Sequence, residues 1–209
     1  MSRRVFLFKR FERFWHWMQA LLVLLLIYTG FEVHGTLNWL GYERAVFWHN
    51  HLVWLLIILI VFAIFWHFTT GAWRHYRPAG GNLGRIIRYY QVGIFRNEPH
   101  PTRKTEISKL NPLQRLTYLG LKILIFPVQI ISGFIYYFHD DLQAAGFNID
   151  LGIIAFIHTA AAFILLIFFI AHVYLATTGQ TAFSNIRAMI TGWEEMEEDD
   201  NINPAPTGQ

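Results

Sequence analysis

Four long apolar stretches constrain the fold of this chain more than any other feature. They cover about Phe14–Val33, Ala45–Thr70, Leu116–Phe138 and Leu151–Thr178. A helix of about 20 apolar residues crosses the hydrocarbon core of a bilayer, so each stretch can span a membrane. Only 15% of the residues are charged and 54% are hydrophobic, which is not the composition of a soluble domain. The sequence therefore predicts an all-α membrane protein, a four-transmembrane-helix bundle forming one domain over residues 1–209.

Basic residues lie on one side of these predicted spans. The N-terminal segment and the loop of residues 72–112 hold most of the Lys and Arg, whereas the first connection holds only Arg44 and the third holds none. Positive charge near span ends stays on the cytoplasmic side of a membrane. Both termini and the long loop are therefore predicted to be cytoplasmic. These basic residues are expected to face anionic lipid, and no nucleic-acid partner is expected.

Three further segments lie outside the spans. Leu83–Phe95 and Phe183–Trp193 mix polar and apolar residues, as amphipathic helices at the membrane interface do, and the alternative for Phe183–Trp193 is a docking surface for a partner. The acidic tail, residues 194–209, contains two prolines. We expect this tail to fray or to bind another molecule.

Histidine is the residue that points to chemistry. The chain has ten histidines and no cysteine, which excludes thiolate-bound clusters and covalently attached haem. His158 and His172 lie fourteen residues apart in the fourth span, so both project from nearly the same helix face. Along the helix axis they are about 21 Å apart, one toward each side of the bilayer. Ionisable groups inside a span are by default candidates for function.

The predicted topology assigns a depth to each histidine of the spans. His16 and His172 lie near the cytoplasmic side, whereas His49, His51 and His158 lie near the outer side. Two imidazoles on opposite sides of an iron hold b-type haem without a covalent bond. The pattern therefore predicts two haem b groups, with His16/His172 as the inner pair and His49 or His51 with His158 as the outer pair. Buried histidines that only hydrogen-bond between helices are the alternative, and zinc is less favoured because its sites gather three or four ligands.

The choice between His49 and His51 depends on helix phase. His49 precedes His67 by eighteen residues, which is five full turns, and His51 points about 160° away from His49. If the shared face of His49 and His67 looks into the bundle, His49 is the ligand. His67 would then support the inner haem, contact a quinone or relay protons, unless it merely caps its own helix. Gly30, Gly133, Gly152 and Ala160–Ala162 would leave room for a flat macrocycle or for close helix packing.

Several segments of the sequence resemble those of a known family. RFERFWHWMQALLVLLLIYTGF, FWHNH, HTAAAFILLIFFIAHVY and IRAMITGW resemble segments of the di-haem cytochrome b subunits of respiratory formate dehydrogenase, nickel–iron hydrogenase and thiosulfate-reductase-type complexes. The segment FWHFTTGAWRHY is most similar to the thiosulfate-reductase-type branch. The resemblance implies axial pairs His16/His172 and His49/His158, which are also the pairs suggested by depth. It further implies a bacterial or archaeal cytoplasmic (inner) membrane.

The resemblance also implies a quinone site, for menaquinone or ubiquinone, beside the inner haem. Its polar contacts would come from Asn111 and Gln114 in LNPLQR, although Asn followed by Pro is also an ordinary helix start. The expected function is a membrane-anchoring respiratory-chain subunit that passes electrons between an outer-face redox partner and quinone. That partner would be an iron–sulfur or multihaem protein, with or without a catalytic subunit. The alternative is a free-standing cytochrome that oxidises superoxide and reduces quinone, so the sequence leaves open whether the chain is itself an enzyme.

Overall fold

A computed structural model describes residues 2–76, 83–96, 98, 112–179 and 181–197. Two short strands and eight α-helices occur in this part of the chain. They are β1 (Ser2–Phe6), α1 (Arg10–Val33), α2 (Tyr42–Thr70), α3 (Leu83–Gln91), α4 (Pro112–Gly120), α5 (Phe126–Tyr137), α6 (His139–Ala144), α7 (Leu151–Ala176), α8 (Ser184–Thr191) and β2 (Trp193–Glu197). Ala72–Tyr76 and Gly93–Arg96 form 3-10 turns, and Leu121–Ile125 is a π-helical segment that joins α4 to α5.

The four predicted membrane spans are confirmed as helices long and apolar enough to cross a bilayer. They are Arg10–Val33, Tyr42–Thr70, Pro112–Tyr137 and Leu151–Ala176. The second span ends at Gly71, which adopts a left-handed conformation with φ of 71°. Glycine adopts this conformation without the steric cost that a Cβ would bring, so it is the usual residue just after a helix. The chain is therefore an all-α multi-pass membrane protein, apart from one short ribbon at its ends.

The structure forms two compact units. The first holds the described residues within Met1–Arg74 and Leu175–Gln209, and the second holds those within His75–Thr102 and Leu110–Tyr174. In the first unit, α1 and α2 pack through buried leucines, with Trp15, Met18, Leu26 and Leu56 around them. The buried leucines are Leu22, Leu52 and Leu59. These contacts hold α2 against α1 along most of the length of α2.

The connection between α1 and α2 is closed by a buried carboxylate. Glu32 is only 3% exposed, and its Oε1 accepts the backbone N–H groups of Trp39 at 2.8 Å and Leu40 at 3.3 Å. A buried carboxylate is costly unless hydrogen bonds compensate for its lost hydration. The two backbone donors satisfy Oε1, whereas Oε2 is buried without a hydrogen bond, and the donors hold the returning chain against the end of α1.

The two ends of the described chain meet in the first unit. Strand β1 pairs antiparallel with β2, with Ser2 opposite Glu197 and Phe6 opposite Trp193. Because the strands are bonded to each other, both ends lie on the same side of the membrane. The prediction of a frayed tail is wrong for Glu194–Glu197, since pairing with β1 satisfies that backbone. The remainder of the tail lies outside the described residues.

In the same unit, α8 lies against the start of α1. The Trp17 indole donates to the Met189 carbonyl at 3.1 Å, and the Arg13 guanidinium donates to the Ile190 carbonyl at 2.5 Å. Both contacts satisfy carbonyls in the last turn of a helix, where no intrahelical donor is available. The predicted second amphipathic segment is thus a helix docked on the first span.

The second unit contains a feature that the sequence did not predict. The third span changes to π-helix over Leu121–Ile125 and returns to α-helix at Phe126, one residue before Pro127. A proline has no N–H and its ring clashes with the carbonyl four residues earlier, so a widened turn just before it relieves the crowding. The π segment places Lys122, an ionisable residue, inside a membrane span.

The first predicted amphipathic segment also lies in this unit. It forms α3 and the following 3-10 turn, with Ile86 only 1% exposed and Arg85 and Arg88 on the exposed side. The Arg88 guanidinium forms an ion pair with Glu98 at 3.2 Å. The helix itself is therefore confirmed, whereas its place at the membrane interface stays a prediction.

Candidate haem-binding site

His49 lies in the first unit, on the face of α2 that packs against α1. Its Nδ1 is 2.9 Å from the hydroxyl oxygen of Thr29. A Cβ placed on Gly30, the next residue, would lie 3.7 Å from His49 Cε1. Thr29 is 3% exposed, so this contact is buried in the helix pair. The imidazole is therefore held by a hydroxyl on one side and faced by a glycine.

His51 points elsewhere. Its ring is exposed, its Nδ1 lies 2.7 Å from the Phe47 carbonyl of its own helix, and its ring centroid is 4.0 Å from that of Phe47. His49 and His51 are two residues apart in the same helix. This spacing is a rotation of about 200°, so the two side chains point about 160° away from each other, as the sequence predicted. Of the two candidates, the structure brings His49 to the neighbouring span.

His158 lies in the second unit and is held in a similar way by α5. Its Nδ1 is 3.1 Å from the Ser132 hydroxyl oxygen and 3.2 Å from the Gln129 carbonyl oxygen. The side-chain amide nitrogen of Gln129 is 3.0 Å from His158 Nε2. A Cβ placed on Gly133 would lie 3.0 Å from His158 Cε1. A hydroxyl residue followed by glycine thus faces this imidazole as well.

The small residues predicted to make room separate into two groups. Gly30 and Gly133 each face a candidate ligand, so a side chain at either position would meet an imidazole. A Cβ on Gly152 would instead meet the Asp150 carboxylate at 3.1 Å, near the start of its own helix. Ala161 is buried at 4% exposure. Gly152 is therefore part of the helix start and does not face a candidate ligand.

The two histidines nearer the other side of the membrane have aromatic neighbours. The His172 ring stacks on Phe168, with centroids 5.8 Å apart, and Phe168 contacts Tyr118 at 6.0 Å. The His16 ring lies edge-on to Trp17 at 5.1 Å. His158 and His172 are on the same uninterrupted helix, as the fourteen-residue spacing predicted. That helix carries one candidate ligand toward each of its ends.

His67 is buried at 9% exposure in the first unit. Its Nδ1 lies 2.6 Å from the Ala63 carbonyl, and its ring lies edge-on to Trp15 at 5.2 Å. Trp15 is on α1, so His67 and His49 both face that helix, and the shared face predicted from their spacing is confirmed. The Ala63 contact matches the alternative of a histidine bonded to its own helix, and the quinone contact stays a prediction.

The predicted quinone segment is described only in part. Gln114 is half-buried in the first turn of α4, which begins at Pro112 as the Asn-Pro pattern predicted. Asn111 lies outside the described residues. Its role beside a quinone therefore rests on the sequence.

Sequence reasoning missed Thr29, Ser132 and Gln129. The signal was a hydroxyl residue directly before a glycine inside an apolar stretch, which occurs as Thr29-Gly30 and as Ser132-Gly133. Neither dipeptide reveals from sequence which neighbouring residue it contacts. Lys122 lies ten residues inside the third span, which begins at Pro112.

The candidate ligands are divided between the units. His16 and His49 belong to the first, and His158 and His172 belong to the second. Each predicted pair, His16/His172 and His49/His158, takes one imidazole from each unit. The pairing stays a prediction, because it joins two bodies that are described separately.

The residues present fit haem b better than zinc. All candidate ligands are imidazoles, and two of them pack closely against a glycine. Within the described residues, no group of three or more His, Cys, Asp or Glu side chains could hold a metal ion. Structural and catalytic zinc sites need such a group. A ligand set of imidazoles taken two at a time is typical of b-type haem.

Comparison with known proteins decides the family. The sequence model described as "Prokaryotic cytochrome b561" matches residues 7–192. This chain belongs to the prokaryotic cytochrome b561 family. Within the matched range are all four candidate ligands, both hydroxyl–glycine pairs and all four spans. Membership in this family supports electron transfer through haem b and agrees with the resemblance to cytochrome b subunits.

A relative in Escherichia coli (strain K12) supports the same assignment. The protein described as "Putative cytochrome YdhU" is 30% identical over 200 residues, which cover 92% of this b561-family chain and 75% of the relative. No solved structure matches the chain significantly. The chain is therefore a multi-pass membrane cytochrome of the b type.

Proposed function

We propose that this chain is the membrane-anchoring, quinone-reactive di-haem b subunit of a larger respiratory oxidoreductase in a bacterial or archaeal inner membrane. The observation that carries the proposal is α7, one spanning helix with His158 and His172 fourteen residues apart, in a chain of the b561 family. Two imidazoles about 21 Å apart along one helix serve two separate sites, one toward each side of the membrane. When bound, the two haem b groups supply one-electron transfer between these sites.

The chain's own residues hold and orient these groups. His16 and His172 would hold the inner haem, and His49 and His158 would hold the outer haem. Thr29 and Ser132 contact the outer imidazoles, and Gly30 and Gly133 let these rings pack closely against their neighbouring helices. Burial in the spans and hydrogen bonds to the imidazoles set the potentials.

The proposed quinone site lies on the cytoplasmic side, beside the inner pair. Asn111 and Gln114 carry amides that can donate to a quinone carbonyl, and His67 is a further candidate near that end of α2. Protons would exchange with the cytoplasm while electrons cross the bilayer, so turnover would separate charge. The proposed partner is an iron–sulfur or multihaem protein on the outer face.

Haem content after histidine replacement tests the ligand assignment. A pyridine haemochrome assay on the purified chain should give two haems b per chain. His172→Ala should lose one haem and His158→Ala the other, because an iron held by one remaining imidazole is weakly retained. His34→Ala, which alters an exposed histidine in the first connection, is the control and should retain both haems. Retention of two haems in either ligand variant would overturn the assignment.

Quinone turnover tests the proposed pocket separately. Asn111→Ala and Gln114→Ala should lower quinol oxidation about tenfold, since removing a hydrogen bond of about 1–1.5 kcal/mol changes a rate by that order. Both variants should retain two haems. Gln143→Ala, at an exposed amide in α6, is the control and should leave turnover unchanged.

The same preparation tests the partner. Purification in mild detergent should yield a stoichiometric iron–sulfur or multihaem companion. A lone chain that reduces quinone with superoxide would instead support the free-standing cytochrome.

A further inference from the structure

The two hydroxyl–glycine pairs, Thr29-Gly30 and Ser132-Gly133, make the same kind of contact with a histidine in each unit. Thr29 contacts His49 on the neighbouring α2, and Ser132 contacts His158, which lies on α7. Both hydroxyls are buried, at 3% and 4% exposure. In each case the contact is to Nδ1 of the imidazole, at 2.9 Å and 3.1 Å. The repetition in two separate units indicates a common purpose.

The single proton of each hydroxyl is used by its own helix. The Thr29 hydroxyl donates to the Leu25 carbonyl at 2.9 Å, and the Ser132 hydroxyl donates to the Val128 carbonyl at 2.6 Å. A hydroxyl has one proton to donate and two lone pairs that accept. Bonding to the carbonyl four residues earlier is the usual way in which Ser and Thr satisfy themselves inside a span. Each hydroxyl can therefore offer only a lone pair to the imidazole.

It follows that the imidazole Nδ1 is the donor at both contacts. A neutral imidazole carries one N–H, so protonation of Nδ1 leaves the lone pair on Nε2. Second contacts at His158 agree. The Gln129 carbonyl, which only accepts, lies 3.2 Å from Nδ1, and the Gln129 amide nitrogen, which only donates, lies 3.0 Å from Nε2. The same amide nitrogen lies 3.4 Å from Nδ1, so its shorter contact, to Nε2, favours the same tautomer. The Gln129 amide would have to turn away from Nε2 for that atom to bind iron.

We propose that Thr29 and Ser132 are positioning residues that fix His49 and His158, each within its own unit, as Nδ1–H tautomers and so leave Nε2 of each imidazole as the atom that would bind iron. The inference rests on the proposed function, because it concerns the outer haem of that scheme. An imidazole whose N–H donates to a fixed acceptor is a stronger and better oriented ligand. Stronger donation stabilises ferric iron, so the two hydroxyls lower the midpoint potential of the outer haem.

Isosteric removal of each hydroxyl tests the proposal. Thr29→Val and Ser132→Ala should each shift the midpoint potential of one haem upward, and the double variant should shift the same haem further. The affinity of the outer site for haem should fall about 10- to 100-fold, as for other residues that support metal ligands. Redox titration followed by optical and EPR spectra measures the shift, and the affected haem should be the one that is missing in His158→Ala.

Matched variants separate the hydroxyl from side-chain size and from helix packing. Thr29→Ser and Ser132→Thr keep the hydroxyl and should retain the wild-type potential and haem content. Thr69→Val removes a hydroxyl in α2 that makes the same bond to its own helix, to the Phe65 carbonyl at 2.9 Å, and should leave both potentials unchanged.

The outcomes distinguish this inference from the proposed function. Unmoved potentials and full haem content in Thr29→Val and Ser132→Ala would overturn the inference while leaving the di-haem function intact. Equal haem loss in Thr29→Val and Thr29→Ser would also overturn it, because the hydroxyl would then not be the cause. Absence of haem from the wild-type protein would overturn the proposed function itself.

Discussion

His49 and His158 are each supported by a hydroxyl and a glycine on a neighbouring helix. The hydroxyl contacts are similar in the two supports, but the distance between the glycine and the imidazole differs. The hydroxyl contacts are 2.9 Å and 3.1 Å long, yet a Cβ would approach the imidazole to 3.7 Å at Gly30 and to 3.0 Å at Gly133. A separation of 3.7 Å is ordinary van der Waals contact, whereas 3.0 Å requires a group to move. Gln129 adds two contacts at His158. The same dipeptide pattern thus leaves room for a Cβ beside His49 in the first unit but not beside His158 in the second.

This difference shows how far a local pattern determines a site. The hydroxyl's bond to its own helix is local and depends only on the residue type and the helix. The clearance beside it depends on how closely the neighbouring helix approaches, which is a property of the packed unit. A hydroxyl before a glycine therefore predicts the direction of the hydrogen bond better than it predicts tolerance to substitution.

The largest expected effect comes from the ligand itself. His49→Ala should remove the outer haem and leave one haem per chain, whereas His51→Ala should leave two. The reason is orientation, since His49 meets Thr29 on α1 while His51 bonds to Phe47 of its own helix. A pyridine haemochrome assay on both variants measures this. Loss of a haem in His51→Ala with retention in His49→Ala would reverse the assignment and remove the basis of the comparison.

A smaller effect is expected from the glycines. Gly133→Ala should crowd His158 at a cost of about 1–3 kcal/mol, the usual cost of overpacking a filled site. Gly30→Ala should be tolerated and should stabilise α1 by about 0.5–1 kcal/mol, because alanine favours helix over glycine. Haem retention during detergent washing and the thermal midpoint measure the two effects. Equal haem loss in both variants would mean that a side chain at position 30 crowds His49 as much as one at position 133 crowds His158, and the two supports would then be equally tight.

Much of the fold could be predicted because hydropathy and charge act over whole helices. The four spans, the orientation of His49 relative to His51 and the face shared with His67 all follow from helix length and phase. These quantities require only the regular geometry of an α-helix. That is why they were correct without any knowledge of helix packing.

The features that were missed depend on departures from that geometry or on contacts between elements. The π segment before Pro127 breaks the regular phase, and the β1–β2 ribbon joins residues that are almost the whole chain apart. The contacts of Thr29 and Ser132 with histidines require knowing which helix packs against which. The tail was expected to fray because its composition is acidic, yet backbone pairing with β1 prevails at Glu194–Glu197.

The ribbon at the chain ends has a consequence for biogenesis. Ser2–Phe6 is synthesised before the four spans, but its hydrogen-bonding partner, Trp193–Glu197, is synthesised only after them. An isolated two-stranded pair is marginal in water, so β1 can gain its structure only late, with α8 docked on α1. Closure of this ribbon therefore requires that the fourth span has returned the chain to the side of the membrane on which β1 lies, so a completed ribbon marks a chain that has crossed the bilayer an even number of times.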